Sequence, residues 1–153
     1  MLASVDENDL KHALGGVVLE AAHLERALRA ALSALVGSKY ATVVAGHLTE
    51  AALIEDCRKI TDYHTGLTEP VKQTVLSALT ACDAARRKRN RIMHDVAVSA
   101  RATDDVHRVA DQLAGAAGSL NAAMTAAFGP AWARTEDQLR QELGHDISTD
   151  PGS

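Results

Sequence analysis

Along the first quarter of the chain the apolar residues Leu10, Leu14, Val17, Ala21, Leu24, Leu28, Leu32 and Leu35 recur at spacings of three and four. That spacing keeps one stripe on one face of a helix. It predicts a long amphipathic helix over about residues 7–36, closed by Gly37 and Ser38. Gly15 and Gly16 weaken that helix by roughly 1 kcal/mol each and leave room for a second backbone to approach. Residues 39–45 suit a short helix broken near Gly46, and Thr49 can cap a third helix over about residues 50–61, with Glu50 in its first turn. The run DYHTGLTEP, residues 62–70, reads as a loop whose Thr68-Glu69-Pro70 end starts a helix reaching about Met93. Residues 95–103 read as non-helical and contain the β-favouring VAVS. A last long helix then starts at Asp104 or Asp105. Its stripe is Val106, Ala110, Leu113, Ala117, Leu120, Met124 and Phe128, and Gly129-Pro130 ends it.

These elements predict an all-α fold, an antiparallel bundle of about four to five helices with Ala-rich faces that pack closely. One domain is expected over residues 1–130, a short amphipathic helix over 131–145 and a disordered tail over 146–153. The sustained stripes also leave apolar surface that a second copy could share.

Composition narrows the function. The chain has 153 residues and 46% hydrophobic content, enough for one core without metal or disulfide staples. No apolar run is long enough to span a membrane, and the acidic start MLASVDENDLKH lacks the apolar core of a signal peptide. Cys57 and Cys82 have no metal-ligand spacing and read as reduced thiols, which points to the cytoplasm. A net charge of −4 argues against coating nucleic acid with the whole surface, and 3% aromatics is too few for base-stacking platforms.

Against that background one segment departs from pattern: Arg86-Arg87-Lys88-Arg89-Asn90-Arg91 puts five of the sixteen basic residues into six positions, with His94 following. Val71, Val75, Ala78, Cys82, Ala85, Arg89 and Ile92 continue one helical stripe, so Arg89 falls on the apolar seam. A charge there costs several kcal/mol, about what an unpaired buried ion costs, unless it is paired or faces a polar cleft. Arg86, Arg87, Lys88 and Arg91 point elsewhere and suit a solvated face. His94 lies about 140° round from Arg89 if the helix continues. If the helix stops near Met93, His94 is free to swing back toward Arg89. Asn90 and His94, four apart, can face each other. The structural alternative is that the arginines and the histidine merely complement the dipole of a helix end.

The segment Arg89-Asn90-Arg91-Ile92-Met93-His94 resembles the R-x4-H signature of HEPN domains, in the form with Asn after the Arg. The order of elements is similar too, over roughly residues 7–128. It has a long first helix containing LGGVVLEAAHLERAL, a helical pair, the motif near the end of a later helix, and one closing helix. HEPN domains are small helical bundles, many of them metal-independent ribonucleases of toxin–antitoxin, phage-defence and RNA-processing systems. The resemblance implies that Arg89 and His94 are a catalytic pair supported by Asn90, and that two subunits meet around their motifs to form a composite cleft. It implies no cofactor and no metal, RNA as substrate, and an antitoxin or regulatory protein as a further partner.

The chemistry suits the residues. RNA carries its own nucleophile in the 2′-OH, a histidine transfers protons near neutral pH, and a guanidinium matches phosphate oxygens. Arg86, Arg87, Lys88 and Arg91 would draw in the RNA backbone without reading sequence. Family toxins silenced by a nucleotidyltransferase antitoxin often carry Tyr two residues after the His. Here that position is Val96, which puts that mode of silencing in doubt. A non-catalytic dimerisation or adaptor module that binds a nucleotide or a protein is the alternative within the family, and a basic helix end that only binds nucleic acid is a third reading.

Other constellations are weaker. Glu20-Ala21-Ala22-His23 and Glu142-Leu143-Gly144-His145 are Glu-x-x-His pairs of the kind di-iron bundles use, but the further inward glutamates are not apparent. Glu25, flanking the first stripe, is a candidate partner for Arg89. His12, His47, His64 and His107 have surface or capping roles, and no phosphate-loop, nucleophile-elbow or dinucleotide-binding pattern occurs.

Overall fold

The computed structural model describes residues 7–38, 40–95, 102–130 and 132. Glu7–Val36 forms one unbroken helix, α1, in which Val17, Leu24, Leu28, Leu32 and Leu35 of the stripe read from the sequence are buried, Leu10, Leu14 and Ala21 are partly buried, and Ala13 and Ala31 are buried beside them. It stops where Gly37 takes φ of +75° and the amides of Gly37 and Ser38 both reach the Ser33 carbonyl, at 2.9 and 3.2 Å. Glycine occupies that left-handed position without the Cβ clash other residues meet. A short helix, α2, Ala41–Val44, runs into a 3₁₀ turn, Ala45–His47, and α3 spans Glu50–Tyr63. Thr49 caps α3 as expected, its Oγ1 accepting from the Ala52 amide at 3.2 Å. α4 is Glu69–Asp95 and α5 is Ala102–Phe128, the latter ending at Gly129 with φ of +85°.

The four long helices form a ring. α5 packs along both α1 and α4, and α3 closes the other side against α1 and α4. Directions follow from cross-contacts. α3 begins beside the end of α4, where Glu50 meets Arg89, and ends beside its start, where Lys72 Nζ donates to the Asp62 carbonyl at 3.1 Å. α3 and α4 therefore run antiparallel. Cys82 in the middle of α4 lies against the Ala116 carbonyl in the middle of α5. Leu24, Leu28, Leu53, Ile54, Leu79, Leu113, Leu120 and Met124 form the dry centre, each worth about 1.5–3 kcal/mol when fully buried. The described residues are all helix and connecting turns, with no strand. No helix among them is long and apolar enough to cross a membrane.

Several expectations are corrected. The short α-helix ends at Val44, close to Gly46 as expected, but the chain there tightens into a 3₁₀ turn around Gly46, which the Leu48 amide closes on the Ala45 carbonyl at 2.9 Å. Among the described residues no second backbone approaches Gly15 or Gly16, since a Cβ at either would meet nothing within 4 Å. α3 continues to Tyr63 and α5 starts at Ala102, two residues before the acidic pair Asp104 and Asp105. α4 continues past Met93 through His94 to Asp95, because nothing from Arg86 to Asp95 is a proline or glycine that would end it. The VAVS fragment, the helix expected over 131–145, the tail over 146–153 and the Glu142–His145 pair lie outside the described residues.

Candidate functional site

The seam of α4 is dry up to Ala85: Val75, Ala78, Leu79, Cys82 and Ala85 are buried. One turn later the same line reaches Arg89, and the physics requires a partner there. The structure supplies it from α3. Arg89 Nη1 donates to both Glu50 oxygens, Oε1 at 2.7 Å and Oε2 at 2.8 Å. The two side chains keep only 19% and 13% of their surface, so this pair is largely withdrawn from water. Asn90 completes the set, its Oδ1 accepting from Arg89 Nε at 3.2 Å and Nη2 at 2.9 Å. Short charge-assisted bonds of this kind are roughly twice as strong as neutral ones.

Glu50 is itself fixed from behind. It occupies the first turn of α3, where the helix N-terminus favours a carboxylate. Just upstream, Arg29 of α1 donates through Nη1 to the Ala45 carbonyl and through Nη2 to the Leu48 carbonyl at 3.1 Å, and Glu25 holds Arg29 at 2.7 Å. The expected pairing of Glu25 with Arg89 is thus corrected: Glu25 serves Arg29, one turn along its own helix, and Glu50 serves Arg89.

His94 is exposed and has no hydrogen-bond partner among the described residues. Because α4 does not end at Met93, His94 does not swing back over Arg89. It stays on the flank of α4 that also carries Asn90, one turn away. Asn90 turns its oxygen to Arg89 instead of facing His94, and so brings the guanidinium toward that flank.

The remaining basic residues divide. Lys88 and Arg91 are exposed. Arg87 keeps 68% of its side-chain surface and meets Asp83 at 3.0 Å. Arg86 departs from the solvated face expected of it: 17% exposed, it donates to Asp83 Oδ1 through Nε at 3.2 Å and Nη2 at 2.8 Å. The Asp83 carboxyl is held below its ordinary range, first by the hydrogen bond from Arg86 and also by the charges of Arg87, Arg86 and Arg58, with burial opposing.

Elsewhere the chemistry is quiet. Burial pushes the Cys57 and Cys82 thiols up to about 12, leaving little thiolate near neutral pH. His23 approaches Glu20 at 3.4 Å on an outer face of α1, and no group of three or more metal-ligating side chains occurs among the described residues. His64 caps the end of α3, its Nδ1 accepting from the Gly66 amide at 3.1 Å while its ring meets Phe128 edge-on. A shallow hollow lined by Lys59, Ile60, Tyr63, His64 and Thr65 lies at that same end of α3, far along the helix from Glu50.

Comparison of the chain with protein-family models, with curated proteins and with solved structures gave no match.

Proposed function

We propose that the chain is a metal-independent endoribonuclease of HEPN type, a toxin or a defence or RNA-processing effector, acting in the cytoplasm as a homodimer. The observation that carries this reading is the guanidinium of Arg89. It is held on a bundle seam by Glu50 and by Asn90, and Asn90 shares a flank of α4 with His94, which follows one turn later and has no hydrogen-bond partner among the described residues. In the proposed reaction the RNA 2′-oxygen attacks the adjacent phosphorus and the bond from phosphorus to the 5′-oxygen breaks. One histidine takes the 2′-OH proton, and a second, from the other subunit, protonates the departing oxygen. The products are a 2′,3′-cyclic phosphate and a 5′-hydroxyl. Arg89 stabilises the charge that grows on the non-bridging oxygens. Lys88 and Arg91, both exposed, raise the local concentration of RNA without selecting sequence. An antitoxin or regulatory protein would cover the same end of the bundle.

Incubation of single-stranded RNA with the protein in EDTA is the test. The proposal expects fragments ending in 2′,3′-cyclic phosphate and 5′-hydroxyl, and strict dependence on added metal would sink it.

A second reading is favoured by one feature. Arg89 already has an internal anion in Glu50, so the motif could serve only to join α4 to α3 in a non-catalytic dimerisation or adaptor module. That reading expects no cleavage under any condition, with Arg89→Ala acting on stability or dimerisation alone.

A further inference from the structure

The contacts of Arg89 leave the guanidinium neither free nor fully used. Asn90 Oδ1 takes the Nε–Nη2 edge, and the Glu50 carboxylate takes Nη1 with both oxygens. Among the described residues the outer N–H of Nη2 has no acceptor. The fork is therefore pinned on two sides, and that remaining N–H is the one left to donate to a ligand oxygen. Glu50 cannot easily drift away, since Thr49 caps its helix and Arg29 ties down the Leu48 carbonyl just upstream. Its negative charge also cancels that of Arg89 at the mouth of the site.

We propose that Glu50 is a positioning and specificity residue: it fixes the Arg89 fork with one N–H left to donate, and restricts the bound anion to the single charge of a phosphodiester. The proposal rests on the ribonuclease reading and sharpens it, because the interior links of an RNA strand are monoanions while terminal phosphates and free phosphate are largely dianions. A fixed carboxylate close to the bound phosphorus repels each negative charge separately, so it penalises a dianion about twice as much as a diester. The pair thus selects internal linkages over chain ends and keeps cellular phosphate from blocking the cleft.

The experiment uses the full chain with Glu50→Gln and Glu50→Ala, with thermal melts to confirm folding. The readout is the Arg89 Nε–H signal in a ¹⁵N–¹H spectrum, titrated separately with inorganic phosphate at pH 8 and with dimethyl phosphate. Wild type should show a dispersed signal that Glu50→Gln keeps, its amide oxygen still accepting from Nη1, and that Glu50→Ala moves to the position of exposed arginines. Glu50→Gln should tighten dimethyl phosphate roughly fivefold and inorganic phosphate on the order of twentyfold, as removal of one nearby charge requires. Equal gains for both ions, or no gain, overturn the specificity role, and an unmoved signal in Glu50→Ala overturns the positioning role. If Glu50→Ala does not fold, the Gln titrations decide alone. Neither readout needs cleavage, so a chain that cuts no RNA would remove the nuclease reading while these titrations still judge Glu50.

Discussion

Arg86 and Arg89 stand three residues apart on α4, keep nearly the same exposure, 17% and 19%, and each bonds a carboxylate at short range. Their partners differ in kind. Arg86 bonds Asp83, three residues back on its own helix, a contact that α4 can make by itself. Arg89 bonds Glu50, thirty-nine residues away, and can do so only when α3 and α4 are packed antiparallel. The first pair decorates a helix; the second joins two helices and leaves one guanidinium N–H without an acceptor among the described residues. Equal burial therefore does not mean equal purpose, and the origin of the partner separates the two.

Removing one member of each pair should separate their roles most strongly. Arg89→Ala leaves Glu50 uncompensated where 13% of its side chain is exposed, and should cost about 2–4 kcal/mol in chemical denaturation, a little under the cost of breaking a fully buried pair. Arg86→Ala should cost less, about 1 kcal/mol, because Arg87 at 3.0 Å still compensates the Asp83 carboxylate. Similar losses at both positions would mean that the pairs are equivalent.

Acid offers a finer probe of the local pair. Asp83 has a folded-state pKa depressed chiefly by the hydrogen bond from Arg86. A depressed carboxyl contributes stability above its unfolded value, about 3.9, and loses it as pH falls through the folded value. The stability gap between wild type and Asp83→Asn should thus be largest near neutrality, below about 1 kcal/mol, and shrink as pH falls below about 4. A gap that widened in acid would contradict the assigned direction.

How much of this could be read beforehand depends on the range of each interaction. Local rules carried the Thr49 cap, the glycine stops at 37 and 129, and the α1 and α5 stripes, because each depends on residues within a turn or two. The same periodicity put Arg89 on the seam and so demanded a counter-charge. It could not name that charge: in one dimension Glu50 looks like any first-turn acid, and Glu25 is as plausible a partner. Asking which acid sits at the end of an antiparallel neighbour that abuts the end of α4 would have found Glu50. Arg29 gave less warning still, since its partners include two backbone carbonyls, which carry no side-chain signature. The extension of α4 through His94 was legible in the absence of a stop signal, and the expectation of an early end gave that absence too little weight.

A site of reaction at the end of α4 differs from a merely basic patch in its need for His94. Single-turnover cleavage of an RNA strand, measured in EDTA beside equilibrium binding of the same strand, separates the two for His94→Ala. His94 is exposed and unbonded among the described residues, so the variant should melt like wild type. The proposed nuclease should lose cleavage on the order of 100-fold or more, the usual scale for removing a general acid–base, with RNA affinity within about twofold of wild type. Cleavage that persists in His94→Ala, or that falls only in step with lost binding, would contradict a reaction at this site.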